Sequence, residues 1–249
     1  MRIAIAGGTG LVGTMAVEMA EAAGHRVTVL ARARGTDLVA GHGLEKALDG
    51  IEAVVDVTNV TTLSAKRSTR FFSAVTTNLL AAGHAAGVRH HVVLSIVGVD
   101  RAPYGYYAGK RAQERLVEVG PVPWTILRAT QFHEMAEIAY ESAGLGPVHL
   151  APRMRTRPVA AREVAGHLVD LVAGAPAGRV VEVAGPQEES LVEMIRAYAL
   201  ATGSRSWIPA VSLPGALGRA QRDGTLLPGT DAVVGSQTFD DWIRALASR

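Results

Sequence analysis

The chain has 249 residues, 25 basic and 23 acidic side chains, a formal net charge of +2 and no cysteine. Hydrophobic residues make up 48% and charged residues 19%, enough to bury a sizeable core and to exclude global disorder. The lack of cysteine excludes a disulfide framework, a thiolate nucleophile and an iron–sulfur cluster.

In chain order, short apolar runs alternate with helical spacing. Arg2–Ala6 reads as a strand, Leu11–Ala23 as a helix and Arg26–Leu30 as a second strand. A short extended piece is expected at Asp37–Val39 and a short helix at Leu44–Leu48. Ala53–Val57 reads as a buried strand. Ala65–Ala86 reads as a long helix with Phe71, Phe72, Val75, Leu79 and Leu80 on its apolar side. His91–Ser95 is the next strand. A helix beginning near Tyr104 runs to Val119, and Trp124–Leu127 is a further strand. Continuous apolar strands separated by helices predict an α/β fold, a Rossmann-type doubly wound parallel sheet covered on both faces. Past residue 129 the pattern changes: glycine, proline and arginine rise through 144–158. Helices are expected at Arg162–Val172, Ser190–Thr202 and Phe239–Leu246, and a strand at Arg179–Ala184. The stretch 203–230 reads as loop with one short helix. The expected organisation is a dinucleotide-binding core over 1–129 and a smaller C-terminal substrate lobe over 130–249, with a strand near 179–184 returning to the core sheet.

No apolar run approaches the ~20 residues that span a bilayer, and the opening residues do not read as a signal peptide. A soluble, cytoplasmic protein without a membrane partner is expected. The pI near 9.1 raises the question of nucleic acid. The densest basic cluster, Arg153, Arg155 and Arg157, lacks interleaved aromatics and any recognition motif, so no nucleic-acid partner is expected. His133-Glu134 lacks the second histidine of a zinc helix, so no metal is expected either. His90 and His91 read as structural.

Between the first strand and helix lies Gly7-Gly8-Thr9-Gly10-Leu11-Val12-Gly13. Glycines at this spacing permit a tight turn and close approach of the backbone to a pyrophosphate, and the helix N-terminus favours the anion. The second strand ends in Ala31-Arg32, where an acidic residue would favour NADH. A guanidinium can instead grip the 2′-phosphate of NADPH with two parallel bonds, contributing about 1.5–3 kcal/mol, or a ten- to hundredfold preference. A solvent-facing arginine is the alternative.

Tyr104-Gly105-Tyr106-Tyr107 precedes Lys110, one of only three lysines. Tyr106 and Lys110, or Tyr107 and Lys110, share a helix face. An ammonium ~4 Å from a phenol contributes up to about 4 kcal/mol at an effective dielectric near 20, so the phenol is expected to have a lowered pKa and to protonate a carbonyl oxygen; a surface aromatic cluster stacked beside a lysine is the alternative. The lysine would also reach the nicotinamide ribose. Ser95 and Asn59, at strand ends, either face the nicotinamide or cap a turn. Gln131, Phe132 and His133 either line the substrate pocket or pack the loop.

These residues resemble the atypical short-chain dehydrogenase/reductases, specifically the NmrA-like NAD(P)H-binding group. The marks are Gly7–Gly13, Arg32, Ala53–Asn59, Val93-Leu94-Ser95, Tyr106–Lys110, Pro123–Arg128 and Val183–Pro186. The resemblance implies that Gly7, Thr9, Gly10, Leu11 and Val12 line the pyrophosphate, that Arg32 takes the 2′-phosphate, and that Thr58, Asn59 and Ser95 approach the nicotinamide half. Tyr106 and Lys110 match the tyrosine-x-x-x-lysine pair, and Ser95 falls near the catalytic serine. Asn78 matches the helical asparagine, and Tyr107, as in some members, offers the alternative register. Ala129 stands where relatives often carry proline. Because some members bind dinucleotide without turning it over, two further functions stay open beside an NADPH-dependent reductase acting on a small carbonyl, quinone or conjugated substrate. One is a redox-sensing regulatory protein, the other an isomerase or epimerase using the cofactor transiently. Oligomeric state is not legible, although a homodimer would be unsurprising.

Overall fold

A computed structural model describes residues 1–248, which divide into two compact units: Met1–Arg128 with Ala161–Val181, and Ala129–Ala160 with the chain from Glu182 onward. In the first unit, strands β1 (Arg2–Ala6), β2 (Arg26–Leu30), β3 (Ala53–Asp56), β4 (His90–Ile96) and β5 (Trp124–Ala129) alternate with helices α1 (Leu11–Ala22), α2 (Leu44–Leu48), α3 (Ala65–Ala85) and α4 (Tyr106–Glu118). The strands lie in the order β2-β1-β3-β4-β5, and β1 pairs in parallel with β2 and with β3, as β3 does with β4. This is the Rossmann-type α/β fold. Strand order reverses between β1 and β3, the switch point outside which such sheets bind ligands.

Burial explains the continuous apolar runs. Ile3–Ala6 and Ala53–Asp56 expose no residue beyond 1%, as strands covered on both faces require. On one face, Ala4, Ala6 and Val54 pack with Leu30, Leu79, Val93 and Ile126. Register levels the strand ends. Ala6 stands opposite Leu30 and Asp56, and Asp56 opposite Val93. The segments that follow β1, β2 and β3, beginning at Gly7, Ala31 and Val57, therefore leave the sheet together, and β4 runs on beyond them to Ile96.

Four local expectations are corrected. The segment 161–181 groups with the first unit, not with the C-terminal lobe. Its helix, Ala161–Ala173, buries Val164, Ala165, Leu168 and Val172, and at Gly166 a Cβ would already lie 3.1 Å from the Met19 Cε of α1. The strand expected over 179–184 is two pieces. Gly178–Arg179 pairs with Thr125–Ile126 of β5, while Val183–Ala184 pairs with Val233–Val234. Residues 32–34 form a 3₁₀ turn, and Asp37 makes an isolated antiparallel bridge with His42 in place of an extended 37–39 piece. Finally, α4 starts at Tyr106. Gly105 precedes it with φ +55° and ψ −127°, a conformation outside the helix and closed to residues with a Cβ.

The second unit carries helices Met135–Ser142, Leu191–Ala201, Gly215–Arg222 and Phe239–Ala247, the last opened by a Thr238–Asp241 capping box. Short paired strands link them: 144–145 with 148–149, 151–152 with 210–211, and 155–156 with 189–190. Among the described residues, no helix is long and apolar enough to cross a membrane.

Candidate functional site: a glycine bend and the polar chain beneath it

The bend after β1 is built by close approach. Gly7 has φ +81°, and a Cβ there would meet the Thr58 backbone at 3.0 Å; at Gly13 a Cβ would lie 2.1 Å from the Gly7 carbonyl oxygen. Gly10 opens α1 in extended backbone, with no side chain capping the helix and no acidic residue in its first turn. The first N–H groups of a helix have no intrahelical partner, and here they combine with the positive end of the dipole to suit an anion. Thr9, Gly10 and Leu11 are exposed along this bend, whereas Val12 is buried, so only its backbone N–H can serve a ligand.

Arg32 is exposed one turn beyond β2. Near it, the backbone N–H of Ala40 holds the Asp37 carboxyl below the usual range, aided by Val39 and the Arg32 guanidinium. Asn78 has a different task from a catalytic helical asparagine: its Nδ2 donates to the Leu38 and Val39 carbonyls at 3.0 Å, pinning that loop to α3.

After β3 the chain uses a fully buried carboxylate. Asp56 Oδ1 accepts from Thr58 N at 2.9 Å and Thr58 Oγ1 at 2.6 Å, and Asp56 Oδ2 accepts from Gln113 Nε2 at 2.9 Å. The Gln113 Oε1 faces Lys110, whose Nζ donates to it at 2.5 Å and to the Leu94 carbonyl at 2.6 Å. The same Nζ stands 4.6 Å from the centre of the Phe72 ring. Lys110 is thus interior, 3% exposed. Burial pushes its amine down to about 8, against the pull of Asp56 and Glu114.

This placement corrects the expected tuning of the phenol. Burial pushes the Tyr106 hydroxyl well above its ordinary value, and Tyr107 and Asp56 push the same way. The Lys110 charge is spent inward. Tyr106 instead donates to Asn59 Oδ1 at 2.9 Å, an atom that also accepts from Val60 N. Tyr107 is 7% exposed, so of the two registers it is Tyr106 whose phenol reaches the segment after β3. Its ring meets Phe72 and Tyr107 edge-on.

Ser95 is buried, and its hydroxyl turns toward the Glu114 carboxylate without a well-formed hydrogen bond. Glu114 belongs to a buried ion pair. Arg128 grips it through Nε at 2.9 Å and Nη2 at 2.8 Å, and its Nη1 reaches Asp100 at 3.0 Å. Burial works to raise the Glu114 carboxyl, and the Arg128 fork overcomes it, holding the group below the carboxylate range. The pair ties β5 to α4 and to the loop that leads into Tyr106.

Gln131, Phe132 and His133 belong to the second unit and knit its own interior. Gln131 Oε1 accepts from Thr156 Oγ1, and its carbonyl accepts from Val159 N. Phe132 is half-buried in a bridge with Val159. His133 is fully buried against Phe239 and Trp242, with Nε2 at 3.2 Å from the Gln237 carbonyl. Of the two roles open for Gln131, Phe132 and His133, these contacts are those of packing.

Sequence reasoning missed Asp56, Gln113 and Glu114. A charge closing the apolar run Ala53–Val57 is the signal for the first. For the others it is polar residues three and four after Lys110, on the same helix face. It also missed why α4 can sit so near α3. At Gly109 a Cβ would lie 2.1 Å from Ser68 Oγ, which donates to the Tyr106 carbonyl at 2.7 Å.

A family model described as NAD(P)H-binding matches residues 7–174. No curated protein matches the chain. Among solved structures, an NADPH-dependent quinone oxidoreductase from Escherichia coli, in complex with NADPH, is 18% identical over 98% of this chain and 99% of its own, with a TM-score of 0.68. A short-chain dehydrogenase/reductase superfamily protein from Agrobacterium tumefaciens with bound NAD is 18% identical over 100% and 96%, at 0.69. The UDP-glucose 4-epimerase of Thermus thermophilus, with NAD, is 18% identical over 100% and 94%, at 0.67. At these identities the likeness is one of fold.

Proposed function

The chain belongs to the NAD(P)H-binding family, and from that premise we propose that it is an NADPH-dependent reductase of a small, fairly apolar carbonyl, quinone or other conjugated substrate. One observation carries the reading. The uncapped glycine bend and Asn59 follow β1 and β3, the two strands flanking the switch point, exposed Arg32 follows neighbouring β2, and the Tyr106 hydroxyl reaches Asn59 from α4. The bend meets the demands of a diphosphate: a Cβ at Gly7 or Gly13 would strike backbone and open the turn, at Gly10 it would enter space bounded only by the Gly7 carbonyl oxygen at 3.4 Å, and the helix dipole opposes the charge. The N–H groups of the first turn of α1 hold the diphosphate, and Arg32 takes the 2′-phosphate. The bound dinucleotide supplies hydride. Tyr106 keeps its proton at neutral pH because its pKa is raised; that one hydrogen, held by Asn59 Oδ1 in the structure, would turn to a substrate oxygen and pass to it, leaving a phenolate that water reprotonates. Asn59, which accepts that hydrogen in the structure, holds the hydroxyl at the segment after β3 until a substrate oxygen takes its place.

NADPH consumption against a panel of carbonyls and quinones tests this, with Tyr106→Phe beside the wild type. Turnover that falls 10²–10⁴-fold in the variant, with NADPH binding intact, is the expected result. Unchanged turnover removes Tyr106 from the mechanism.

A second reading, a redox-sensing dinucleotide binder, has its own support. The Lys110 charge is committed to the interior, and the phenol is made a weaker acid, not a stronger one. Tight NADPH binding with no consumption on any substrate would favour it.

A further inference from the structure

Gln113 is 0% exposed, and its side-chain amide is used at both ends. We propose that Gln113 is a positioning residue of the site: it ties Lys110 to Asp56 and, through Asp56, sets where Thr58 stands against the glycine bend. The inference rests on the reading that this bend receives a dinucleotide.

An amide is the side chain that can donate to a carboxylate and accept from an ammonium at once. A carboxylate at 113 would set like charges face to face with Asp56, and an apolar group would leave Lys110 and Asp56 each a partner short in a buried place. The chain of bonds runs Leu94 carbonyl, Lys110, Gln113, Asp56, Thr58, crossing from β4 through α4 to the segment after β3. It ends on the backbone atoms that stand 3.0 Å from where a Gly7 Cβ would be. The same segment is bonded to the strand end before the bend, Val57 N donating to the Ala6 carbonyl at 3.0 Å, so a displacement of Thr58 is passed to Gly7.

The charged and titratable groups around this chain are few. Asp56 comes from β3, His91 from β4, and Glu114 and Tyr106 from α4; α3 supplies the neutral Phe72 ring. Asp56 and Glu114 favour the ammonium, and burial opposes it. Gln113 supplies the ammonium with an acceptor that adds no charge.

The chain has only three lysines, Lys46, Lys66 and Lys110, so protein carrying 13Cε-labelled lysine gives three signals to follow from pH 6 to 11. The wild type, Gln113→Leu and the near-isosteric Gln113→Glu are titrated, and each is titrated with NADPH at pH 7. The Lys110 midpoint is expected near 8 in the wild type. It should move down by about half a unit or more in Gln113→Leu and up in Gln113→Glu. NADPH affinity of Gln113→Leu should fall about tenfold. A purely structural role would lower Tm and leave the midpoint where it was. If Gln113→Leu does not fold, Gln113→Glu carries the test. An unchanged Lys110 midpoint in the folded variants, or NADPH affinity within twofold of wild type, overturns the proposal. Failure of the wild type itself to bind NADPH would sink the functional reading, while the midpoints would still decide whether Gln113 couples Lys110 to Asp56.

Discussion

The Tyr106 hydroxyl donates to Asn59 Oδ1 at 2.9 Å, joining the first turn of α4 to the segment after β3. The bond aims the phenol from a helix that Gly105 starts abruptly and that Ser68 and Gly109 let settle against α3. Asn59→Ala removes the acceptor and leaves the helix intact. Stability should change by less than about 1 kcal/mol, since Asn59 is exposed. Turnover on a confirmed substrate should fall about tenfold or more, with NADPH affinity nearly unchanged. Equal kcat in variant and wild type would show that Asn59 does not aim the phenol.

Gly10 and Gly13 differ in what surrounds them. At Gly13 an added methyl meets the Gly7 carbonyl oxygen at 2.1 Å, whereas at Gly10 the nearest atom is 3.4 Å away. Gly13→Ala should cost about 3 kcal/mol or more, because backbone must move. Gly10→Ala should fold almost normally and still lose about tenfold in NADPH affinity, because its methyl enters the space a diphosphate needs. Denaturation curves beside binding titrations separate the two, and equal stability losses would contradict this account of the bend.

The Arg128–Glu114 pair is buried at both ends, with side chains 6% and 0% exposed. Arg128→Met leaves Glu114 without its fork, and breaking such a pair costs about 3–5 kcal/mol, or roughly 10 °C in Tm. Glu114 is held below its ordinary value in the fold. Its stabilisation is therefore present above the unfolded carboxylate value, near 4.3, and lost as pH falls through the folded value. The stability gap between wild type and variant should narrow on acidification below that point. A gap independent of pH would show that the pair's charge contributes nothing.

Lys110 gives the same sign in a higher pH window. Its amine is lowered to about 8 in the fold from an ordinary 10.5, so between those values the unfolded chain binds more protons. Wild-type stability should rise with pH through that window relative to Lys110→Met, by about 3 kcal/mol in all. Urea midpoints at pH 7.5, 9 and 10.5 measure it. Parallel curves would place the amine at its usual value.

Much of this was legible in the residue order, and the failures have causes. Apolar runs such as Ile3–Ala6 and Ala53–Val55 are buried on both faces, so composition alone marked them as strands. The glycine spacing at 7–13 carried its own steric reason. What stayed hidden were directions of side chains. Lys110 shares a helix face with Tyr106, yet its ammonium turns inward to Leu94 and Gln113, because the interior offers a carbonyl, an amide and the Phe72 ring together. The sequence leaves His133 open between pocket and packing; its ring lies against Phe239 and Trp242. The strand near 181 is broken in two because its first part pairs with Thr125–Ile126 and its second with Val233–Val234, with Val181 in neither ladder.

Binding of dinucleotide by the glycine bend is most directly read by calorimetric titration at low salt, with NADPH and NADH against wild type and Arg32→Glu. The account predicts one site per chain and tighter binding of NADPH by ten- to a hundredfold, a preference that the charge reversal abolishes. If neither nucleotide gives a saturable signal, the bend does not hold a diphosphate. If both bind the wild type equally, Arg32 does not read the 2′-phosphate.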